Sequence, residues 1–395
     1  MSNFLYGQTL HINKVSCIYS ALWSIKNHMT SALPYKLLAK VLPQFGYAID
    51  DCKITLLGNG LINNTYLVQT TNKIFVLQCL NQQVFKAPLQ VTHNADLISA
   101  HLKIKSDHKS YPLTPIYQLR SIDNKNHVKV QGQYWRSLHY IPQCYTLESI
   151  TNLDQASAVA SAFAQFTAAF SDFDSENLAE IIVNFHDLSM RIKQFQQALA
   201  NAADTLLIAA QTSINFVQSQ QDFIDSIAEI TKDLPLRVTH NDTKINNLLF
   251  SKATKQPVAV IDLDTCMPGY VMHDFGDMIR SCCASIAEDS AELGNMSLNF
   301  DILTALTNAY IAGFNGSLSE IERKSLIFGI KLMPFMLSIR FLTDFLNGDQ
   351  YFKTTYASHN LVRAKNQLQL YRLFCQQETL LTNIVLSAPA SNTLG

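Results

Sequence analysis

The chain has 395 residues, 48% of them hydrophobic and 15% charged, with a formal net charge of −1. This is enough for two packed domains or one large bilobal one, and the balanced charge offers no footprint for nucleic acid or an anionic membrane. The eight cysteines are scattered, with no C-x-x-C pair and no His/Cys cluster at metal-ligand spacing, so a reduced, cytoplasmic protein is expected.

No charged start followed by an unbroken apolar core opens the chain, so no secretory signal is expected. Residues 16–45 read as helical with a break at Pro34, and 1–50 are assigned to an N-terminal helical extension. KITLLGNG, NTYLVQT and KIFVLQCL are short β-prone runs separated by Gly and Asn, which predicts an antiparallel meander. A helix over 88–104 and strands near 114–119 and 128–140 complete a sheet of about five strands with one helix, a β-rich lobe over 51–142. After Pro142 the texture turns helical. ASAVASAFAQFTAAF (156–170) has small apolar residues at helical spacing, and 185–230 reads as two or more helices.

Residues 245–263 are the one strongly β-like interruption before helices resume. The longest apolar run, LIFGIKLMPFMLSIRFLTDFL (326–346), carries Lys331, Arg340 and Asp344. Charges inside a membrane span are costly, so this is expected to be a buried helix of a soluble protein. Ser319 with Glu322 forms a capping-box pattern at its start. The expected fold class is α+β: a small antiparallel β lobe joined near 140–146 to a larger, mostly helical lobe over 143–395.

Chemistry concentrates in VTHNDTKINNLLF (238–250) and the following VAVIDLD (258–264). If NLLF and VAVID pair as a hairpin centred near Thr254, Phe250 faces Val258, and Asn246 and Asn247 lie opposite Asp262 and Ile261. Asn247 and Asp262 then become neighbours beside Asp242 and Lys244. Asp262 and Asn247 would offer oxygen ligands to Mg²⁺, which keeps its other positions for water and phosphate. Asp242 would accept a hydroxyl proton, and Lys244 would meet the charge on a transferred phosphoryl group.

HNDTKINN (240–247) matches the kinase catalytic-loop pattern H-x-D-x-K-x-x-N, and VIDLD stands where kinases carry a metal-binding aspartate. With Ile-Asp in that place, the chain resembles the aminoglycoside phosphotransferase and choline kinase group. Within it, the chain is similar to N-acetylhexosamine kinases acting on the anomeric hydroxyl. GNGLINNTYLV (58–68), IDLDTCMPG, DFGDMIR (274–280) and RFLTDFLNGDQYFKT (340–354) carry this likeness together with the catalytic loop.

The resemblance implies a protein-kinase-like bilobal fold with ATP between the lobes and Mg²⁺ on Asn247 and Asp262. Asp242 would be the base, and the product would be the 1-phosphate of a small-molecule sugar. GNGLINN, with Gly58, Gly60 and Asn63, would arch over the phosphates. Backbone at His139, Tyr140 and Ile141 would meet adenine. One position departs from the pattern: where kinases place a third-strand lysine the chain has Gln78, with Lys73 and Lys86 as nearby sources of charge. Gln78 also favours a rival reading, a catalytically silent nucleotide-binding pseudokinase. A second rival is a kinase for another sugar, an aminoglycoside or choline.

His240 reads as a structural residue that bonds the backbone. Asp264 shares one face of an extended segment with Asp262, and binds substrate, touches a second metal or caps the next turn. Asp274 and Asp277 read as helix caps with an ion pair to Arg280, the alternative being substrate contact. Arg340 and Asp344 form an intrahelical pair or point into the cleft as substrate contacts.

Overall fold

The computed structural model describes residues 34–57 and 62–390. Gly58 and Gly60, and the part of the expected extension before Pro34, lie outside the described residues. Helix α1 (Tyr35–Val41) and the 3-10 turn after it place Leu38, Val41, Leu42 and Phe45 on a sheet core of Tyr66, Val68, Phe75, Leu77 and Trp135. The sheet begins with β1 (Lys53–Leu56), β2 (Asn64–Gln69) and β3 (Ile74–Cys79), a meander in which alternate residues face that core. Helix α2 (Pro88–Asp107) follows, then β4 (Gln118–Leu119), β5 (Val128–Val130) and β6 (Gln133–His139).

The strand order is β1-β2-β3-β6-β4, with β5 paired to β6, which makes six strands rather than about five. The expected strand over 128–140 is a hairpin, because Gln131 and Gly132 both take positive φ (50° and 80°). A two-residue turn of that kind follows the natural twist of paired strands. The strand expected over 114–119 shrinks to two residues. Pro112 and Pro115 lack ladder donors, and the Thr114 N–H is given to the Val258 carbonyl at 2.7 Å.

The chain leaves β6 through residues 140–143 and enters β7 (Cys144–Tyr145), α3 (Leu153–Ala168), α4 (Leu188–Asn201), α5 (Asp204–Gln218) and α6 (Gln221–Thr231). Strands β8 (Arg237–Thr239), β9 (Leu248–Ser251), β10 (Pro257–Val260) and β11 (Met267–Gly269) form two small antiparallel sheets, β10-β9-β7 and β11-β8. Helices α7 (Val271–Cys283), α8 (Phe300–Gly313), α9 (Glu320–Leu346), α10 (His359–Gln376) and α11 (Glu378–Ser387) complete the second lobe. Leu80, Phe85 and Val91 of the first lobe pack on Ile181 and Met267 of the second.

Helix α9 is long and apolar enough to cross a membrane, with a mean hydropathy of 1.6 over its best window, but 78% of that window is buried against protein. It is a core helix. Ser319 and Glu322 close the expected capping box at its start. Helices α7 and α9 cross at Gly276 and Gly329, where a Cβ on Gly276 would stand 2.1 Å from the Gly329 carbonyl oxygen. Only glycine allows that approach. It seats α7, the helix beneath the loop HNDTKINN, directly on the core.

Candidate active site

Strand β8 delivers the chain to His240–Lys244, and helix α7 receives that loop from below. Asp274, 1% exposed in the first turns of α7, accepts the backbone N–H groups of His240 at 2.8 Å and Asn241 at 2.7 Å. The Thr243 hydroxyl donates to the Asp274 carbonyl at 2.5 Å. Burial pushes the Asp274 carboxyl up to about 7, against the pull of the two N–H donors. Asp274 is therefore the clamp of this loop rather than an N-terminal cap of its own helix. His240 is fully buried, and its Nε2 donates to the Ile261 carbonyl at 2.9 Å. Burial lowers its pKa, so it stays neutral. The loop turns at Asn241, whose φ is +62°, a left-handed conformation that Asn tolerates.

This clamp presents Asp242 to the cleft. One carboxylate oxygen lies 2.8 Å from Lys244 Nζ, and the other accepts from Asn247 Nδ2 at 2.9 Å. Asn247 Nδ2 also donates to the Asp242 carbonyl at 2.8 Å, which fixes its amide so that Oδ1 points the other way. Burial raises the Asp242 pKa, but Lys244 and the further contacts from His240 and Asn247 outweigh it, and the net shift is downward. Asp242 is ionised at neutral pH.

Strands β9 and β10 form the expected hairpin. Leu249 pairs with Ala259 and Leu248 with Val260, and the Ile261 N–H donates to the Asn247 carbonyl at 2.9 Å. Near the turn Phe250 pairs with Pro257 instead of Val258, because a bulge at Val258 absorbs one residue and frees its carbonyl for Thr114. Asn247 thus faces Ile261, with Asp262 next in the chain. Asp262 takes φ +61°, a left-handed residue at the cleft floor. Burial, with Asp264 and Asp242 nearby, pushes its carboxyl up to about 7, although the side chain is open to cleft solvent. The negative charge gathered here has too little compensation within the protein, an arrangement suited to a cation.

Asp264, 2% exposed, faces the first lobe. It accepts from Asn63 Nδ2 at 2.6 Å and forms an ion pair with Arg136 of β6. Asn63 in turn accepts from the Asn81 N–H at 3.0 Å. The Gln78 carbonyl oxygen accepts from Arg136 Nε at 3.0 Å and Nη2 at 2.8 Å, and its amide donates to Thr65 at 3.1 Å. Lys73 and Lys86 are exposed and make no ion pair among the described residues. Tyr140 and Ile141 link the lobes outside any sheet ladder, so their backbone groups are free of strand pairing.

On the other side of Asp242, α7 carries the Asp277–Arg280 ion pair, with Arg280 Nη2 2.7 Å from Asp277 Oδ1. Glu288 bridges Arg280 at 2.7 Å and Arg363 at 2.6 Å. Arg363 also lies over the Phe341 ring, 3.8 Å from its centroid. Arg340 and Asp344 do not pair. Asp344 accepts the backbone N–H groups of Gln350 at 2.9 Å, Tyr351 at 2.7 Å and Phe352 at 2.8 Å, and Asn360 Nδ2 at 2.9 Å. A buried carboxylate satisfied in this way shapes the loop after α9 and has no capacity left for a substrate. Arg340 instead stands among the rings of Phe185, Tyr351 and Phe352, with no carboxylate within ion-pair distance among the described residues.

The profile of the phosphotransferase enzyme family APH matches residues 53–294, from β1 through the loop after α7. The chain belongs to this phosphotransferase family. An aminoglycoside phosphotransferase from Alicyclobacillus acidocaldarius shares the fold at TM-score 0.57 and 12% identity, covering 91% of this chain and 98% of that one. A microcompartment-associated aminopropanol kinase gives 0.57 at 17% identity, covering 90% and 99%. Choline kinase from Cryptosporidium parvum gives 0.52 at 12%, covering 85% and 93%. The two-lobed, protein-kinase-like architecture is common to all of them.

In this phosphotransferase Asp242, Lys244, Asn247 and Asp262 converge as their spacing in the chain suggests. Sequence reasoning missed Arg136, Glu288 and Arg363, and the clamping role of Asp274. One signal was present for Arg136: an arginine in the middle of a β-strand of a buried sheet demands a partner. The other three act across long stretches of chain and leave no local pattern.

Proposed function

We propose that this phosphotransferase is an ATP-dependent small-molecule kinase whose acceptor is the anomeric hydroxyl of an N-acetylhexosamine, released as the sugar 1-phosphate. The observation that carries the reading is Asp242. It is an ionised carboxylate with one oxygen held by Asn247 and the other by Lys244, beside the uncompensated Asp262.

Asp262 and Asn247 Oδ1 suit a hard divalent ion. With two ligands from the protein, such an ion would take its remaining ligands from water and phosphate. Magnesium-bound ATP would supply the phosphoryl group and neutralise charge on it. Asp242 orients the acceptor hydroxyl and takes its proton, and Lys244 meets charge on the moving group. Tyr140 and Ile141 offer free backbone groups to an adenine edge.

The acceptor side supports a neutral, hydroxyl-rich substrate over a cationic one. Asp277 and Glu288 are already neutralised by Arg280 and Arg363, and the Phe341 face is covered by a guanidinium. A choline or aminoglycoside cation needs free carboxylates or open aromatic faces. Arg340, without an acidic partner among the described residues, suits a carbonyl or hydroxyl oxygen such as that of an N-acetyl group. The test is ADP release across N-acetylglucosamine, N-acetylgalactosamine, other free sugars, choline, aminopropanol and aminoglycosides. Release with the N-acetylhexosamines supports the reading, and release only with the amines overturns the acceptor.

A further inference from the structure

The phosphate side of the cleft contains a cation that the loss of a third-strand lysine leaves unexplained. Gln78 pairs directly with Arg136 across β3 and β6, and with Thr65 across β2 and β3. Residues paired in this way stand on one face of a sheet. Thr65, Gln78 and Arg136 therefore form a row across three strands, tied together by the Gln78 amide. The row faces Asp264, two residues from Asp262 in the chain, through the Arg136–Asp264 ion pair.

We propose that Arg136 is the phosphate-contacting cation of this site, moved one strand over from the usual position, and that Gln78 is its positioning residue. The inference rests on the kinase reading and names the residue that would recognise the α and β phosphates of a nucleoside di- or triphosphate. Gln78 cannot supply charge, but its carbonyl takes two guanidinium donors and fixes the plane of the group. Asp264 takes Nη2, and among the described residues Nη1 has no hydrogen-bond partner; the side chain is only 2% exposed, so a phosphate oxygen would have to reach Nη1 at the sheet face. Arginine suits the task because its fork matches phosphate geometry and it stays charged when buried. Asp264 and Asn63 complete the device by joining that cation to the residue just before β2.

A plain lobe-locking ion pair uses the same contacts, and ligand selectivity separates the two. Calorimetry on the full chain with magnesium would compare ADP with adenosine for the wild type, Arg136→Gln, and Gln78→Lys combined with Arg136→Gln. The proposal expects Arg136→Gln to weaken ADP on the order of 10- to 100-fold, the size of a charge-assisted contact, while adenosine is unchanged. The double variant, which returns a cation to β3, recovers most of the ADP affinity. Equal loss for ADP and adenosine, or no loss for either, overturns the proposal and leaves the kinase reading standing. A wild type that binds neither ligand overturns both. If Arg136→Gln does not fold, the double variant decides: ADP affinity close to wild type supports the proposal, and ADP affinity lowered about 10-fold or more with adenosine unchanged overturns the placement of the cation.

Discussion

Gly276→Ala tests whether the contact between α7 and α9 is the rigid seat of the catalytic loop. The added Cβ would lie 2.1 Å from the Gly329 oxygen, 2.5 Å from its carbonyl carbon and 2.7 Å from Met333 Cγ. The first two neighbours are backbone, so neither yields by changing rotamer. Restoring a contact of about 3.5 Å requires the helices to part by about 1 Å. Overpacking of this kind costs about 1–3 kcal/mol, and a backbone clash belongs at the upper end. A loss of about 3 kcal/mol lowers Tm by roughly 3–4 °C in a chain of 395 residues that melts as a unit. Because α7 carries Asp274, the shift also reaches Asp242, and a 1 Å displacement there lowers kcat by about 100-fold. Thermal melting and steady-state kinetics read the two effects. Gly294→Ala, where nothing lies within 4 Å of the added carbon, is the control and should match wild type. A Gly276→Ala protein with wild-type Tm and kcat would refute the reasoning.

Asp274→Ala leaves two buried N–H groups without acceptors, at about 1–3 kcal/mol each, and should lower both Tm and kcat while adenosine still binds. Asp344→Ala should raise amide exchange at residues 350–352, whose N–H groups it holds, with little change at Asp242; exchange mass spectrometry resolves the two regions. The Asp262 carboxyl, raised from 3.8 to about 7, keeps in the folded state a proton that the unfolded chain has released across that interval. Its contribution to the stability of the metal-free protein is therefore present below pH 3.8 and lost as pH rises through about 7. Asp262→Asn should accordingly raise the metal-free Tm at pH 8 more than at pH 5, and remove magnesium-dependent stabilisation by nucleotide. Equal effects at both pH values would count against the carboxylate cluster.

The catalytic loop and its hairpin were legible because their partners are close in the chain. Once Thr254 is placed at the turn, strand pairing brings Asn247 beside Asp262, and the bulge at Val258 shifts only the turn end. The first lobe was legible as a meander, but a positive φ at Gln131 and Gly132 hides a hairpin inside an apparently continuous strand. Spacing misled at Arg340 and Asp344. Four residues apart on a helix they suggest a pair, yet the backbone N–H groups just beyond α9 compete better for the carboxylate. Arg136, Gln78 and Asp264 depend on a cross-strand register and on lobe docking together, and neither is encoded locally.

The central claim is that Asp242 activates an acceptor hydroxyl for phosphoryl transfer. Its most direct test is ADP release from Asp242→Asn with an N-acetylhexosamine, with ATP affinity measured on the same sample. The account predicts retained ATP binding and turnover reduced by about 100-fold or more, the share of a positioned base. Near-wild-type turnover in that variant would contradict it.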